Sequence, residues 1–138
     1  MTKSIKKPVS VSIIGGSGYT GAELIRLLSK HPYFNLFQVV ANRNVGKKIQ
    51  TVFPHLRHLD LPDFISFEEM NFEEVELIFC ALPHATSQEI IVKIPQGKKI
   101  IDLSADFRLE SIEEYERWYR TKHIANFLQK KAVYGLTE

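Results

Sequence analysis

Glycine recurs at positions 15, 16, 18 and 21 in the stretch GGSGYTG, and no other feature of the chain limits its fold so strongly. An apolar run, Val9 to Ile14, precedes it. After it, Ala22, Leu24, Ile25, Leu27 and Leu28 follow helical spacing until His31-Pro32, where the residue before proline avoids the helical region. Leu36 to Ala41 is a second short apolar run, so strand, helix and strand succeed one another within one compact unit. A helix between two strands that cannot be joined by a tight hairpin implies a parallel pair with a crossover. The glycines lie where the first strand hands over to the helix, as G-x-G-x-x-G through Gly16, Gly18 and Gly21, or as G-x-x-G-x-x-G from Gly15. Glycine there permits a tight turn, lets a ligand reach the backbone without a Cβ in the way, and allows helix and strand to pack closely. The helix start then offers free N–H groups and a positive dipole end to an anion. In this strand-turn-helix setting the pattern reads as a pyrophosphate-binding loop formed by Gly15, Gly16, Ser17, Gly18, Tyr19, Thr20 and Gly21; the alternative is a tight turn with no ligand.

The remainder of the chain continues the alternation. Residues 44 to 74 are interrupted by Gly46, Pro54 and Pro62, with a short strand expected at Phe64-Ile65 and a polar turn near Glu68. Val75 to Leu82 reads as a buried strand, His84 to Ile94 as a helix and Lys98 to Leu103 as another strand. Ser111 followed by Glu114 resembles a capping box for a helix bearing Tyr115, Trp118 and Tyr119, which helical packing on the sheet explains. The expected fold is α/β, a doubly wound Rossmann-type parallel sheet with helices on both faces. Residues 1–8 are expected to form a flexible N-terminus and 9–138 the nucleotide-binding domain.

Where the second strand ends, an NAD site commonly carries an acidic residue for the ribose 2′-hydroxyl, whereas an arginine accommodates a 2′-phosphate. Here the residues are Ala41-Asn42-Arg43-Asn44, so NADP(H) is the favoured cofactor, with Arg43 as a solvated loop cation the alternative. Eighteen basic residues against sixteen acidic ones leave a net charge of +2, which gives no footprint for nucleic acid or an anionic membrane. A small molecule is the expected partner. The six-residue apolar run near the N-terminus is too short and too polar for a membrane span, and the single cysteine, Cys80, excludes an internal disulfide framework; a cytoplasmic setting is expected.

GGSGYTGAELIRLL, VFPHLR at 52 to 57, ALPH at 81 to 84, DLSADFR at 102 to 108 and VYGLTE at 133 to 138 together resemble the N-acetyl-gamma-glutamyl-phosphate reductase family, which is similar in architecture to aspartate-semialdehyde dehydrogenase. The resemblance implies a cofactor-binding part of an enzyme that reduces an acyl phosphate to a semialdehyde with NADPH in arginine biosynthesis. Its mechanism is attack by a cysteine thiolate, departure of phosphate, and hydride reduction of the thioester. The family's nucleophile lies in Asn-Pro-Gly-Cys-Tyr-Pro, after the segment matching VYGLTE, so no catalytic residue is expected in this chain. The catalytic second domain is expected to be absent and the isolated chain inactive. Substrate would bind only with that domain, and the full-length protein is expected to be a homo-oligomer.

The resemblance also implies that Leu82, Pro83 and His84 border the cofactor and that Arg108, with Ser104 as a weaker candidate, binds the substrate phosphoryl group. An arginine's planar donor fork suits that role, although pairing of Arg108 with Asp102 or Asp106 is the plain structural alternative. Cys80, inside the apolar run Leu-Ile-Phe-Cys-Ala-Leu, reads as a small buried hydrophobe and not a nucleophile. His55 and His58 lack the third ligand that a metal site needs, so no metal is expected. A stand-alone NADP-binding sensor or regulatory module remains the alternative function. A short-chain oxidoreductase is disfavoured because none of the five tyrosines has lysine four residues on.

Overall fold

The computed structural model describes residues 7–135. Of the expected flexible N-terminus, residues 1–6 lie outside the described residues, as do the last three positions of VYGLTE. Five strands, β1 (Val9–Ile14), β2 (Phe34–Val40), β3 (Phe64–Ile65), β4 (Leu77–Cys80) and β5 (Lys99–Asp102), form one sheet in the order β3-β2-β1-β4-β5, and every neighbouring pair is parallel. Between them lie the helices α1 (Tyr19–Leu28), α2 (Ile49–Val52) and α3 (Thr86–Ile91); α4 (Ile112–Tyr119) and α5 (Asn126–Gln129) follow β5. This is the doubly wound arrangement. Its strand order reverses beside β1, and the loops after β1 and β4 therefore diverge around a crevice at the carboxyl edge.

Register explains the core. Ile13 lies opposite Val39 on one side and Phe79 on the other, so these side chains share one face with Val11, which Ile25 and Leu28 of α1 cover together with Ile49, Leu56 and Phe64. Ile14, Val40, Ile78 and Cys80 occupy the opposite face, where Ile91 and Ile94 close over them. β1 alternates apolar residue and serine, yet it is buried on both faces from Val11 onward because it is the central strand. Over β5 the α1-side face is uncovered among the described residues: Ile101 and Leu103 are 43% and 45% exposed.

Several expected boundaries contract. The helix foreseen at 84–94 begins only at Thr86, because Ala85 has φ +68° and cannot be its first turn, and it ends at Ile91. The strands expected at 75–82 and 98–103 shorten to Leu77–Cys80 and Lys99–Asp102, although Ala81 still donates to the Ile14 carbonyl (2.8 Å) and Leu103 to that of Cys80 (2.9 Å). Phe64-Ile65 is the short strand foreseen, and it pairs with Val39 and Val40. The aromatic group on α4 does not pack on the sheet as a unit. Tyr115 is buried against Tyr119 and His123, while Trp118 is 69% exposed beneath the Arg117 guanidinium.

Candidate functional site

The glycine loop is fixed first by β2. The N–H groups of Gly15 and Gly16 both donate to the carbonyl of Val40, at 3.0 and 2.9 Å, which pins the turn over the end of that strand. Gly15 has φ +88°, and a Cβ on it would stand 2.4 Å from the Ala81 carbonyl oxygen and 3.0 Å from the Leu82 side chain. The loops after β1 and β4 thus touch at this glycine. A Cβ at Gly16 would fall 2.1 Å from Val39 Cγ1, and one at Gly21 would fall 2.5 Å from the Gly15 carbonyl oxygen. Gly18 differs: its φ of −86° suits any residue, and the nearest atom to an added Cβ is 3.9 Å away.

Gly18 caps α1. No side chain satisfies that helix start and no acidic residue occupies its first turn, so the first-turn N–H groups of the exposed Tyr19 and Thr20 have no acceptor among the described residues, with the positive end of the helix dipole behind them. An acidic cap would have repelled a phosphate, and a side chain at position 18 would occupy its approach. The residues present therefore fit a dinucleotide pyrophosphate.

Arg43 stands in the 3-10 turn Asn42–Asn44 directly after β2, exposed, and makes no ion pair among the described residues. Across the crevice, Leu82 is half-buried while Pro83 and His84 are exposed, with the His84 ring 5.6 Å from that of Tyr119. The structure therefore gathers Gly15 to Gly21, Arg43 and Leu82 to His84 along one edge of the sheet.

DLSADFR departs from the plain structural alternative read from the sequence. Neither acid pairs with Arg108. Asp102 accepts the hydroxyl protons of Ser87 and Ser104, each at 2.7 Å, and the Ser104 backbone N–H at 3.1 Å. The Asp106 carboxylate, fully buried, accepts the N–H groups of Ala85 (2.7 Å) and Gln88 (2.8 Å) and the Tyr115 hydroxyl (2.7 Å). Arg108 stays exposed, and the Ser104 hydroxyl is already engaged within its own loop. Arg108 and Ser104 meet Lys98 and Lys131 in the lining of a cavity of about 600 Å³ against β5, apart from the glycine loop.

Sequence reasoning missed Asp106 as a hub, and with it Gln88 and His123. The Gln88 side chain donates to the Lys122 carbonyl (3.0 Å) and accepts from Ile124 N–H (2.7 Å); His123 Nε2 lies 2.7 Å from the Asp106 carbonyl oxygen and Nδ1 accepts from Ala125 N–H (3.3 Å). Burial and the carboxylate of Asp106 push the Tyr115 hydroxyl well above the usual phenol range, and burial, aided by Asp102, raises the Cys80 thiol far above the ordinary thiol value. A thiol so held is a packing group. His55 and His58 are exposed near the turn Pro54–Leu56, and among the described residues no group of three His, Cys, Asp or Glu side chains is placed to hold a metal. Nor is any described helix long and apolar enough to cross a membrane.

Comparison with known proteins agrees with this geometry. A family described as "Semialdehyde dehydrogenase, NAD binding domain" matches residues 10–138. A probable chloroplastic N-acetyl-gamma-glutamyl-phosphate reductase of Arabidopsis thaliana is 50% identical over 133 residues, covering 96% of this chain and 33% of its own length. The N-acetyl-gamma-glutamyl-phosphate reductase of Rhodobacter capsulatus is 52% identical over 128 residues, covering 93% and 37%. The chain thus spans about a third of the length of these curated relatives. Among solved structures, aspartate semialdehyde dehydrogenase with NADP from Candida albicans superposes with a TM-score of 0.64 at 24% identity, over 77% of this chain and 32% of that one. A Rex-family repressor reaches 0.51 at 16% identity, over 93% and 66%, so the fold alone does not select a chemistry. With a profile that runs from the second residue of β1 to the last residue of the chain, this protein belongs to the semialdehyde dehydrogenase NAD-binding domain family.

Proposed function

We propose that this chain is the NADP(H)-binding part of an acyl-phosphate reductase that converts N-acetyl-glutamyl 5-phosphate to the 5-semialdehyde. The observation that carries the nucleotide reading is Gly18: alone among the loop glycines it is not required by the protein's own packing, and it stands at a helix start that no side chain caps. The substrate reading is supported by the named activity of relatives at 50% and 52% identity.

The free backbone N–H groups at the start of α1 hold the pyrophosphate, and Arg43 meets a ribose 2′-phosphate. Leu82, Pro83 and His84 border the other nucleotide across the crevice. The bound cofactor supplies hydride. Arg108, exposed in a cavity it shares with Lys98 and Lys131, offers a phosphoryl group a bidentate donor, with Ser104 at its side. Cys80 takes no part, because its buried thiol is held protonated. On this reading the chain binds cofactor without turnover, and substrate binding belongs to the full-length enzyme. The one thiol, buried and reduced, suits a reducing compartment such as the cytoplasm.

Calorimetric titration of the chain and of Arg43→Ala with NADPH and NADH tests this. NADPH is expected to bind more tightly than NADH to the parent chain, and Arg43→Ala to lose that preference by weakening NADPH alone. Equal affinity for both nucleotides in the parent would overturn the NADP assignment, and binding of neither would overturn the cofactor site.

A further inference from the structure

We propose that Asp106 is a positioning residue: by holding Ala85 in a positive-φ backbone conformation it sets the loop Leu82 to Ala85, and so shapes the half-site for the nicotinamide-bearing nucleotide. The inference rests on the cofactor reading above. Ala85 has φ +68° and ψ −42°, a region that residues with a Cβ adopt only where their surroundings enforce it. The enforcing group is identifiable. Asp106 Oδ1 accepts Ala85 N–H at 2.7 Å and Oδ2 accepts Gln88 N–H at 2.8 Å, so one carboxylate from 21 residues away takes the place of the capping side chain that α3 lacks.

Asp106 is itself fixed on every side. Its carboxylate also receives the Tyr115 hydroxyl at 2.7 Å, its N–H donates to Ser104 Oγ at 3.1 Å and its carbonyl meets His123 Nε2 at 2.7 Å. It has no basic ion-pair partner among the described residues, so the only groups that compensate its burial are those it organises. Tyr115 stacks on Tyr119 at 4.9 Å between centroids, and Tyr119 flanks His84 at 5.6 Å. Asp106 therefore grips the end of the loop that leads into α3 twice, at Ala85 directly and at the adjacent His84 through two aromatic rings.

The consequence is confined to half of the ligand. A doubly wound fold binds one mononucleotide against each half of its sheet, and the loop after β4 belongs to the second half, away from Arg43 and β2. Loosening it should affect the nicotinamide half and spare the adenosine half. A carboxylate that only stabilised the fold would, on removal, weaken both.

Asp106→Asn separates these cases, since it keeps the side-chain shape but turns one acceptor into a donor facing an N–H. Affinity is measured by calorimetry for NADPH and for adenosine 2′,5′-bisphosphate, which lacks the nicotinamide half, with folding followed by far-ultraviolet circular dichroism. NADPH is expected to weaken at least about tenfold, the scale of one lost hydrogen bond to a charged group, with adenosine 2′,5′-bisphosphate almost unchanged. Adding Ala85→Gly, which adopts positive φ unaided, should restore part of the lost NADPH affinity. If Asp106→Asn fails to fold, Tyr115→Phe gives the same comparison with a smaller selective loss. Equal weakening of both ligands, or unchanged NADPH affinity in a folded variant, would overturn the proposal. Failure of the parent chain to bind either ligand would instead overturn the cofactor reading beneath it.

Discussion

The glycines of the loop separate by what a methyl group would meet. Helix propensity favours alanine over glycine at position 21, by about 1 kcal/mol. Geometry opposes it: the added Cβ would lie 2.5 Å from a backbone oxygen, and at Gly16 it would lie 2.1 Å from Val39. Gly16→Ala and Gly21→Ala are each expected to lower stability by roughly 1–3 kcal/mol, the range for overpacking, in thermal or urea denaturation. Gly18→Ala should leave stability within about 0.5 kcal/mol and reduce NADPH affinity at least about tenfold, because the space it fills lies outside the protein's own core. A second prediction concerns alkali. Cys80 and Tyr115 keep their protons in the fold beyond the values near 8.5 and 10 at which they ionise in an unfolded chain. Their contribution is whole below those unfolded values. It falls as pH rises past them, since the unfolded state then releases protons that the native state retains. The urea midpoint should be level through neutrality and decline above about pH 8.5, and Cys80→Ala should remove the first part of that decline. A midpoint rising in that window would contradict the burial of both groups. At this scale the glycine turn was legible because a strand that hands over directly to a helix needs residues without a Cβ where the two pack closely. Asp106 was not, because nothing in its sequence neighbourhood shows that an acid in a loop will cap a helix that starts 20 residues earlier.

Helix α4 shows how much of an element a short pattern can define. Ser111 does accept from the Glu114 N–H, at 3.1 Å, as the spacing predicts. The reciprocal arm of the box is not formed; the Ser111 hydroxyl instead donates to Glu113 at 2.9 Å, and the backbone N–H of Glu113 itself, with Ser111 second, holds the Glu113 carboxyl below the usual carboxylate range. Ser111→Ala should therefore cost about 1 kcal/mol, read as a lower denaturation midpoint with an unchanged slope. Replacing Glu114 by Gln should change little, since its side chain takes no part in the cap. The longer elements β1, α1, β2 and α4 each carry enough periodic positions to be read from sequence. α2 and α5 span four residues each, a single turn too short to establish a period, and only tertiary packing defines them. The start of α3 was misplaced for a different reason: the residues from His84 onward are compatible with helix, but the Asp106 carboxylate imposes positive φ on Ala85.

At the scale of the molecule, the strand order distributes stability and exposure unequally. β1 and β4 have partners on both sides, and the reversal between them creates the crevice where the candidate site lies. β5 ends the sheet, so its outer hydrogen-bonding edge is unpaired among the described residues, and on the α1-side face it presents Ile101 beside Leu103. An open edge beside exposed apolar residues is a template for pairing with another chain. Short apolar runs bounded by glycine and proline made the sheet legible in the sequence. They could not show that one face of β5 lacks a covering helix among the described residues, because an apolar residue at position 101 reads the same whether covered or open. The chain is expected to self-associate through β5, with a weight-average mass in sedimentation equilibrium that rises with concentration. Ile101→Lys should abolish this rise, because a charged, solvated side chain on an edge strand opposes edge pairing. It should leave nucleotide binding intact, since position 101 lies on β5, beyond β4 from the glycine loop. A parent chain that stays monomeric at all concentrations would mean that the β5 edge is protected in solution. Association that survives Ile101→Lys would place the contact on another surface, with the exposed Trp118 on α4 the next position to substitute.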